Sequence, residues 1–224
     1  MRVGAVLPQI EIGGDVAAVR DFTQAVDDLG FDHLLAYDHV LGAEHAERTP
    51  PLTGPYTEDD PFHDPLVLFA HLAALHPDLE WVTGILILPQ RQTALVARQA
   101  ADLAMLAPGG VRLGVAVGWN WTEYDALGQD FSERGARIDE QIPLLRELWA
   151  GGSVTATVGD ERLDRMTLVP APPTPPEIWV GGFSEPAYQR GARIGDGFIF
   201  AGPTDRALAG WERVGELLDE AGRS

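Results

Sequence analysis

Three short stretches of this 224-residue chain bring together side chains that could do chemistry: Tyr37-Asp38-His39, Gly118-Trp119-Asn120-Trp121 and Gly181-Gly182-Phe183-Ser184. An imidazole next to a carboxylate can give or take a proton near neutral pH. Neighbouring residues of a strand point to opposite faces, so only one of Asp38 and His39 can face a site while the other braces backbone or loop. The alternative is an ordinary loop histidine satisfied by a carboxylate. Two tryptophans flanking an asparagine could wall a flat aromatic cofactor, or simply plug the end of a barrel. A Gly-Gly turn that runs into a helix offers free N–H groups and a favourable dipole to an anion without needing a lysine, or it serves only a tight turn. A fourth stretch, Thr83-Gly84-Ile85, puts a glycine inside an apolar strand, where it marks either a bulge, a close approach to a ligand, or packing against a bulky neighbour.

The elements that must position these groups alternate regularly. Residues 1–7 read as a strand ended by Pro8, and Asp15 caps an amphipathic helix over 16–29 with Gly30 as its stop. Residues 31–36 form a second strand, followed by a polar, proline-rich loop to about residue 63. A helix begins at Asp64-Pro65 and runs to about 75. Residues 81–88 form a near-continuous apolar strand of the kind a parallel sheet buries on both faces. Helix 93–106, strand 111–117, helix 133–149, a small hairpin within 153–167, a proline-rich connector at 170–176, strand 177–180, helix 185–194, strand 197–200 and helix 205–221 complete about six βα units. The last helix carries Leu208, Trp211, Val214, Leu217 and Leu218 at helical spacing, a face that needs burial.

Such alternation means a parallel sheet, either doubly wound or a TIM-type (β/α) barrel, in one domain spanning 1–224. Pro8-Gln9-Ile10 stands where a dinucleotide-binding sheet carries its glycine fingerprint, and the polar clusters follow strand C-terminal ends, so the barrel is favoured.

Composition removes other chemistries. There is no cysteine, hence no disulfide, thiolate metal site or thiol nucleophile. All sixteen basic residues are arginine, which excludes a P-loop lysine and a Schiff-base lysine. A net charge of -18 with scattered arginines opposes nucleic-acid binding. His71 and His76 do not share a helical face, and no metal site is expected. With no membrane-length apolar run and no leader-like start, the chain reads as a cytoplasmic protein.

Taken in order, GFDHLLAYDHV, DPLVLFAHLAAL, WVTGILILPQRQTALVARQAADLAML, the run from GGVRLGVAVGWNW to RELWAGG, and PPEIWVGGFSEPAYQRGARIGDGFIF resemble the luciferase-like monooxygenase family over almost the whole chain. The Asp-His pair after the second strand is most similar to the branch that uses coenzyme F420, a deazaflavin. The resemblance implies that His39 sits beside the deazaflavin ring as proton donor or polariser, with Asp38 supporting it. It implies that Gly84-Ile85 forms a strand-three bulge with a non-prolyl cis peptide against the back of the ring. Gly118 and Trp119 would lie along the cofactor side chain, and Gly181, Gly182 and Phe183 would present amides near its phosphate. The role of Arg91 stays open.

Members of the family continue beyond a segment like AGRS through two more βα units, so the resemblance implies a barrel shortened at its C-terminus. Its open strands would need cover from an altered closure, a partner subunit or a further segment, and a homodimer is expected. The expected function is hydride transfer between coenzyme F420 and a small organic substrate. The alternatives are an FMN-dependent monooxygenase using molecular oxygen and a non-catalytic, flavin-binding or dimer-forming shortened homologue.

Overall fold

Six βα units curl into a parallel half-barrel in the computed structural model, which describes residues 1–223. Strand β1 (Gly4–Val6) pairs with β2 (His33–Ala36), β2 with β3 (Glu80–Thr83), and β3 with β5 (Val111–Ala116). Beyond Gly84-Ile85 the third strand resumes as β4 (Leu86–Ile87), also on β5. β5 then pairs with β8 (Glu177–Gly181), and β8 with β9 (Gly197–Ile199). Spatial order follows chain order throughout. A doubly wound sheet reverses its order at a switch point, so this winding is that of a partial barrel. β1 and β9 are the two edges of the sheet.

The expected strand over 81–88 is in fact broken. The Gly84–Ile85 peptide is cis, and the chain leaves the ladder there before β4 begins. The other strands and helices match the expected spans to within a few residues. Helix α2 (Val16–Asp28) is capped by Asp15, which accepts from the N–H of Ala17 and Ala18. Asp64 does the same for α3 (Pro65–Ala73), accepting from Leu66 and Val67. Satisfying such otherwise unpaired first-turn donors is the reason aspartate favours this position. Two helices were not legible: α1 (Gln9–Ile12) and α5 (Trp121–Ala126).

Around the sheet lie α4 (Thr93–Leu106), α6 (Arg134–Trp149), α7 (Glu185–Ile194) and α8 (Thr204–Glu220). One apolar core runs from Leu7 to Val214 and includes Leu34, Trp81, Leu113, Trp149 and Ile178. Trp149 Nε1 donates to Ala97 O at 2.9 Å, which fixes α6 on α4. The expected hairpin is present as β6 (Val154–Val158) and β7 (Glu161–Met166), off the main sheet. Its Glu161 accepts from the N–H of Thr93 at 2.7 Å and pairs with Arg137, so it clips the start of α4 to α6. The apolar face expected of the last helix is only half covered. Val214 and Leu217 are buried, but Leu208 and Trp211 are exposed.

Candidate active site

The C-terminal ends of β3, β5, β8 and β9 surround a cavity of about 800 Å³. Gly84 and Ile85 contribute from the break in the third strand, Gly118 and Trp119 from the end of β5, and Gly181, Gly182 and Phe183 from the end of β8. Seven residues spread over a hundred positions of sequence thus line one space. Its volume lies within the roughly 300–1,000 Å³ typical of small-molecule and cofactor sites. Gly118 has φ 65° and Gly182 φ 137°, backbone conformations that L side chains rarely adopt, so glycine is required at both turns.

Charge enters this cavity where the sequence reading did not look for it. Arg134, Arg190 and Arg206 all line it. Arg190 is buried and committed to Asp139, with Nε to Oδ1 at 2.9 Å. Arg134 lies 3.7 Å over the ring of Phe131 and Arg206 4.4 Å over that of Phe183, and among the described residues neither is paired with a carboxylate. Beside them the first turn of α7 presents Ser184, Pro186 and Ala187. Two guanidiniums without a carboxylate partner beside a helix N-terminus give this side of the cavity a local positive character in a chain of net charge -18. Arginines dispersed in sequence gave no run to notice.

Asp38 and His39 do not line this cavity. Asp38 is buried and turned toward the third strand, where Oδ2 accepts from Ile87 N at 2.9 Å and Oδ1 from Arg91 at 2.7 Å. Arg91, whose role was open, also reaches Asp64 at 2.9 Å. It therefore ties the end of β2 to the start of α3. Burial pushes the Asp38 carboxyl above its usual range, against the opposing pull of Arg91 and the Ile87 N–H.

His39 points the other way. Its Nδ1 lies 2.8 Å from Glu123 Oε2, a residue the sequence reading passed over. Tyr56 and Phe62 from the long loop pack on the imidazole at 5.3 and 4.8 Å between ring centroids, and Trp119 lies at 5.8 Å. Trp119 thus belongs both to the cavity wall and to the packing around His39. Trp121, the second tryptophan of the run, is not part of the wall. Burial would raise Glu123, but the hydrogen bond and charge of His39 and the N–H groups of Leu41 and Val40 outweigh it and hold the carboxyl below its ordinary range.

A signal for Glu123 did exist. Asn120 caps α5 by accepting from Thr122 N and Glu123 N, and an acid three residues after such a cap is the pattern that starts a helix. Here that acid turns to His39 instead of back to the cap. Among the described residues there is no cluster of three potential metal ligands and no helix long and apolar enough to cross a membrane.

A sequence model of the luciferase-like monooxygenase family matches residues 2–224. An uncharacterised protein of Mycobacterium tuberculosis is 33% identical over 223 residues, covering 92% of this chain and 75% of that protein. An F420-dependent glucose-6-phosphate dehydrogenase of Nakamurella multipartita is 29% identical over 215 residues, 90% of this chain and 60% of that one. An FMNH(2)-dependent dimethylsulfone monooxygenase of Pseudomonas fluorescens is 31% identical over 203 residues, 88% and 54% of the two chains. Among solved structures, a monooxygenase from Streptomyces bottropensis superposes with a TM-score of 0.81 at 20% identity, over 100% of this chain and 68% of that one.

Proposed function

This chain belongs to the luciferase-like monooxygenase family, and from that premise we propose that it is an oxidoreductase whose cavity holds coenzyme F420 and which acts on a small organic substrate. The observation that carries the reading is the convergence of Gly84, Ile85, Gly118, Trp119, Gly181, Gly182 and Phe183 on one cavity with local positive character at one side. When bound, the deazaflavin supplies the centre that accepts or donates a hydride. The chain's own residues bind, orient and exclude water.

Ile85 and Gly84 would offer a flat backbone wall to the ring system. Trp119 would flank the ring system on the side where His39 packs. Gly182, Phe183, Arg134 and Arg206 would hold the anionic part through N–H groups and guanidiniums, an arrangement that fits a phosphate-bearing cofactor of either kind. His39 is the group we assign to proton exchange, and Asp38 holds the strand end on which it stands.

The choice of F420 rests on the Asp38-His39 pair and on the dehydrogenases among the relatives. The flavin-dependent monooxygenase among them supports the runner-up, an FMN enzyme using molecular oxygen. Titration of the purified protein with each cofactor, followed by fluorescence, separates the two. F420 is expected to bind at least tenfold more tightly than FMN, a difference of ~1.4 kcal/mol. Equal affinities, or tighter FMN, would sink the F420 assignment. Binding of neither leaves the non-catalytic reading.

A further inference from the structure

Glu123 is a buried carboxylate, its side chain 1% exposed, and among the described residues no arginine is paired with it. Its three contacts are specific. Oε1 accepts from the backbone N–H of Val40 at 2.8 Å and of Leu41 at 3.2 Å, and Oε2 lies 2.8 Å from His39 Nδ1. Backbone amides can only donate, so Oε1 has to be an acceptor. An ionised carboxylate has no hydrogen to give, so Oε2 is an acceptor as well. The hydrogen between Oε2 and the imidazole must then come from Nδ1.

We propose that Glu123 is the positioning residue for His39: it locks the neutral imidazole as the Nδ1–H tautomer and leaves Nε2 as the one ring atom that can exchange a proton. The proposal rests on the functional reading above only in giving Nε2 a task. The ring cannot easily turn away from this arrangement, because Tyr56, Phe62 and Trp119 pack around it. Among the described residues Nε2 has no hydrogen-bond partner. A proton taken up there forms an imidazolium whose charge the carboxylate balances, and its release restores the neutral ring. The same carboxylate fixes the first two amides of the loop that follows. Loop position and tautomer are therefore set by one side chain.

The tautomer can be read without cofactor or substrate. Nitrogen-15 spectra of histidine-labelled protein at about pH 9, where an unperturbed imidazole is neutral, distinguish a protonated Nδ1 from a protonated Nε2. The His39 signals are assigned by their loss in His39→Asn. The native protein is expected to show Nδ1–H. In Glu123→Gln the amide oxygen must still accept from Val40 and Leu41, so the NH2 group faces Nδ1 and forces the proton to Nε2. A native spectrum with Nε2–H overturns the proposal even if the glutamine variant fails to fold, and so does a folded variant that keeps Nδ1–H. With a turnover assay in hand, Glu123→Gln is expected to lower kcat roughly a hundredfold with KM little changed. A native protein that binds no deazaflavin overturns the functional reading, whereas the spectrum alone decides the lock.

Discussion

Replacing Arg91 with alanine is expected to destabilise the protein by about 3 kcal/mol, the lower end of the range for stripping one partner from a buried ion pair. The Asp38 side chain is 0% exposed and that of Arg91 13%, so removing the cation leaves a carboxylate in the interior with only the Ile87 N–H. The second partner of Arg91, Asp64, is 33% exposed and stays hydrated, so it adds little. The loss has a definite pH dependence. Burial raises the Asp38 pKa in the fold above its unfolded value, and Arg91 is the leading influence opposing that rise. A group raised in the fold stabilises fully below its unfolded pKa, and that contribution is lost as pH rises through the folded value. Without Arg91 the rise is larger. The deficit of the variant is therefore greatest near pH ~7 and shrinks toward pH ~4. Urea unfolding midpoints at both pH values check this. A midpoint equal to the native one, or a deficit that does not change with pH, contradicts it. Asp38→Asn combined with Arg91→Met should recover much of the loss, because no charge is then left unpaired in the interior and Asp64 stays hydrated.

Turnover should fall by roughly a hundredfold in His39→Asn while the cofactor binds as in the native protein. Asparagine keeps a donor near the position of Nδ1 for Glu123 but has nothing to replace Nε2. Cofactor affinity should survive because His39 does not line the cavity. Alanine is the poorer test, since it strips a buried carboxylate of its main partner and confounds rate with folding. Native kcat in His39→Asn would show that the histidine is structural. Weakened binding with unchanged kcat would place it in recognition instead.

The features legible in the sequence were those set locally. Asp15 and Asp64 announce helix starts because a carboxylate two or three residues before a free N–H is a local device. The parallel sheet was legible because strands buried on both faces are apolar almost throughout. The glycines at 84, 118 and 181–182 were picked out as single positions. Their convergence on one cavity was not readable from spacing, since the sheet's curl brings them together. What was missed is long-range and polar. Glu123 and His39 are 84 residues apart, and the arginines at 134 and 206 line one cavity only because α6 and α8 both begin there. The break after Thr83 is legible through the resemblance, which implies a bulge and a cis peptide at Gly84-Ile85, and not through periodicity, as an apolar run with one glycine reads the same whether or not its ladder is continuous.

The winding of the sheet has a dynamic consequence. β5 is laddered on both sides, by β3 and β4 on one and β8 on the other, whereas β1 and β9 are held on one side only. Amide protons should therefore exchange with solvent slowly in β5 and fastest in the two edge strands, by local openings that leave the rest folded. The gradient reaches the cavity, because Ile199 of β9 and Ala201 just beyond it form part of its wall. Whatever fills that space also staples the least secured strand, so each molecule bound should slow exchange at Phe198 and Ile199, and occupancy can be followed in deuterium uptake by mass spectrometry. A β9 that exchanges as slowly as β5 in the free protein, or that ignores the ligand, would mean the edge is secured by something other than the sheet.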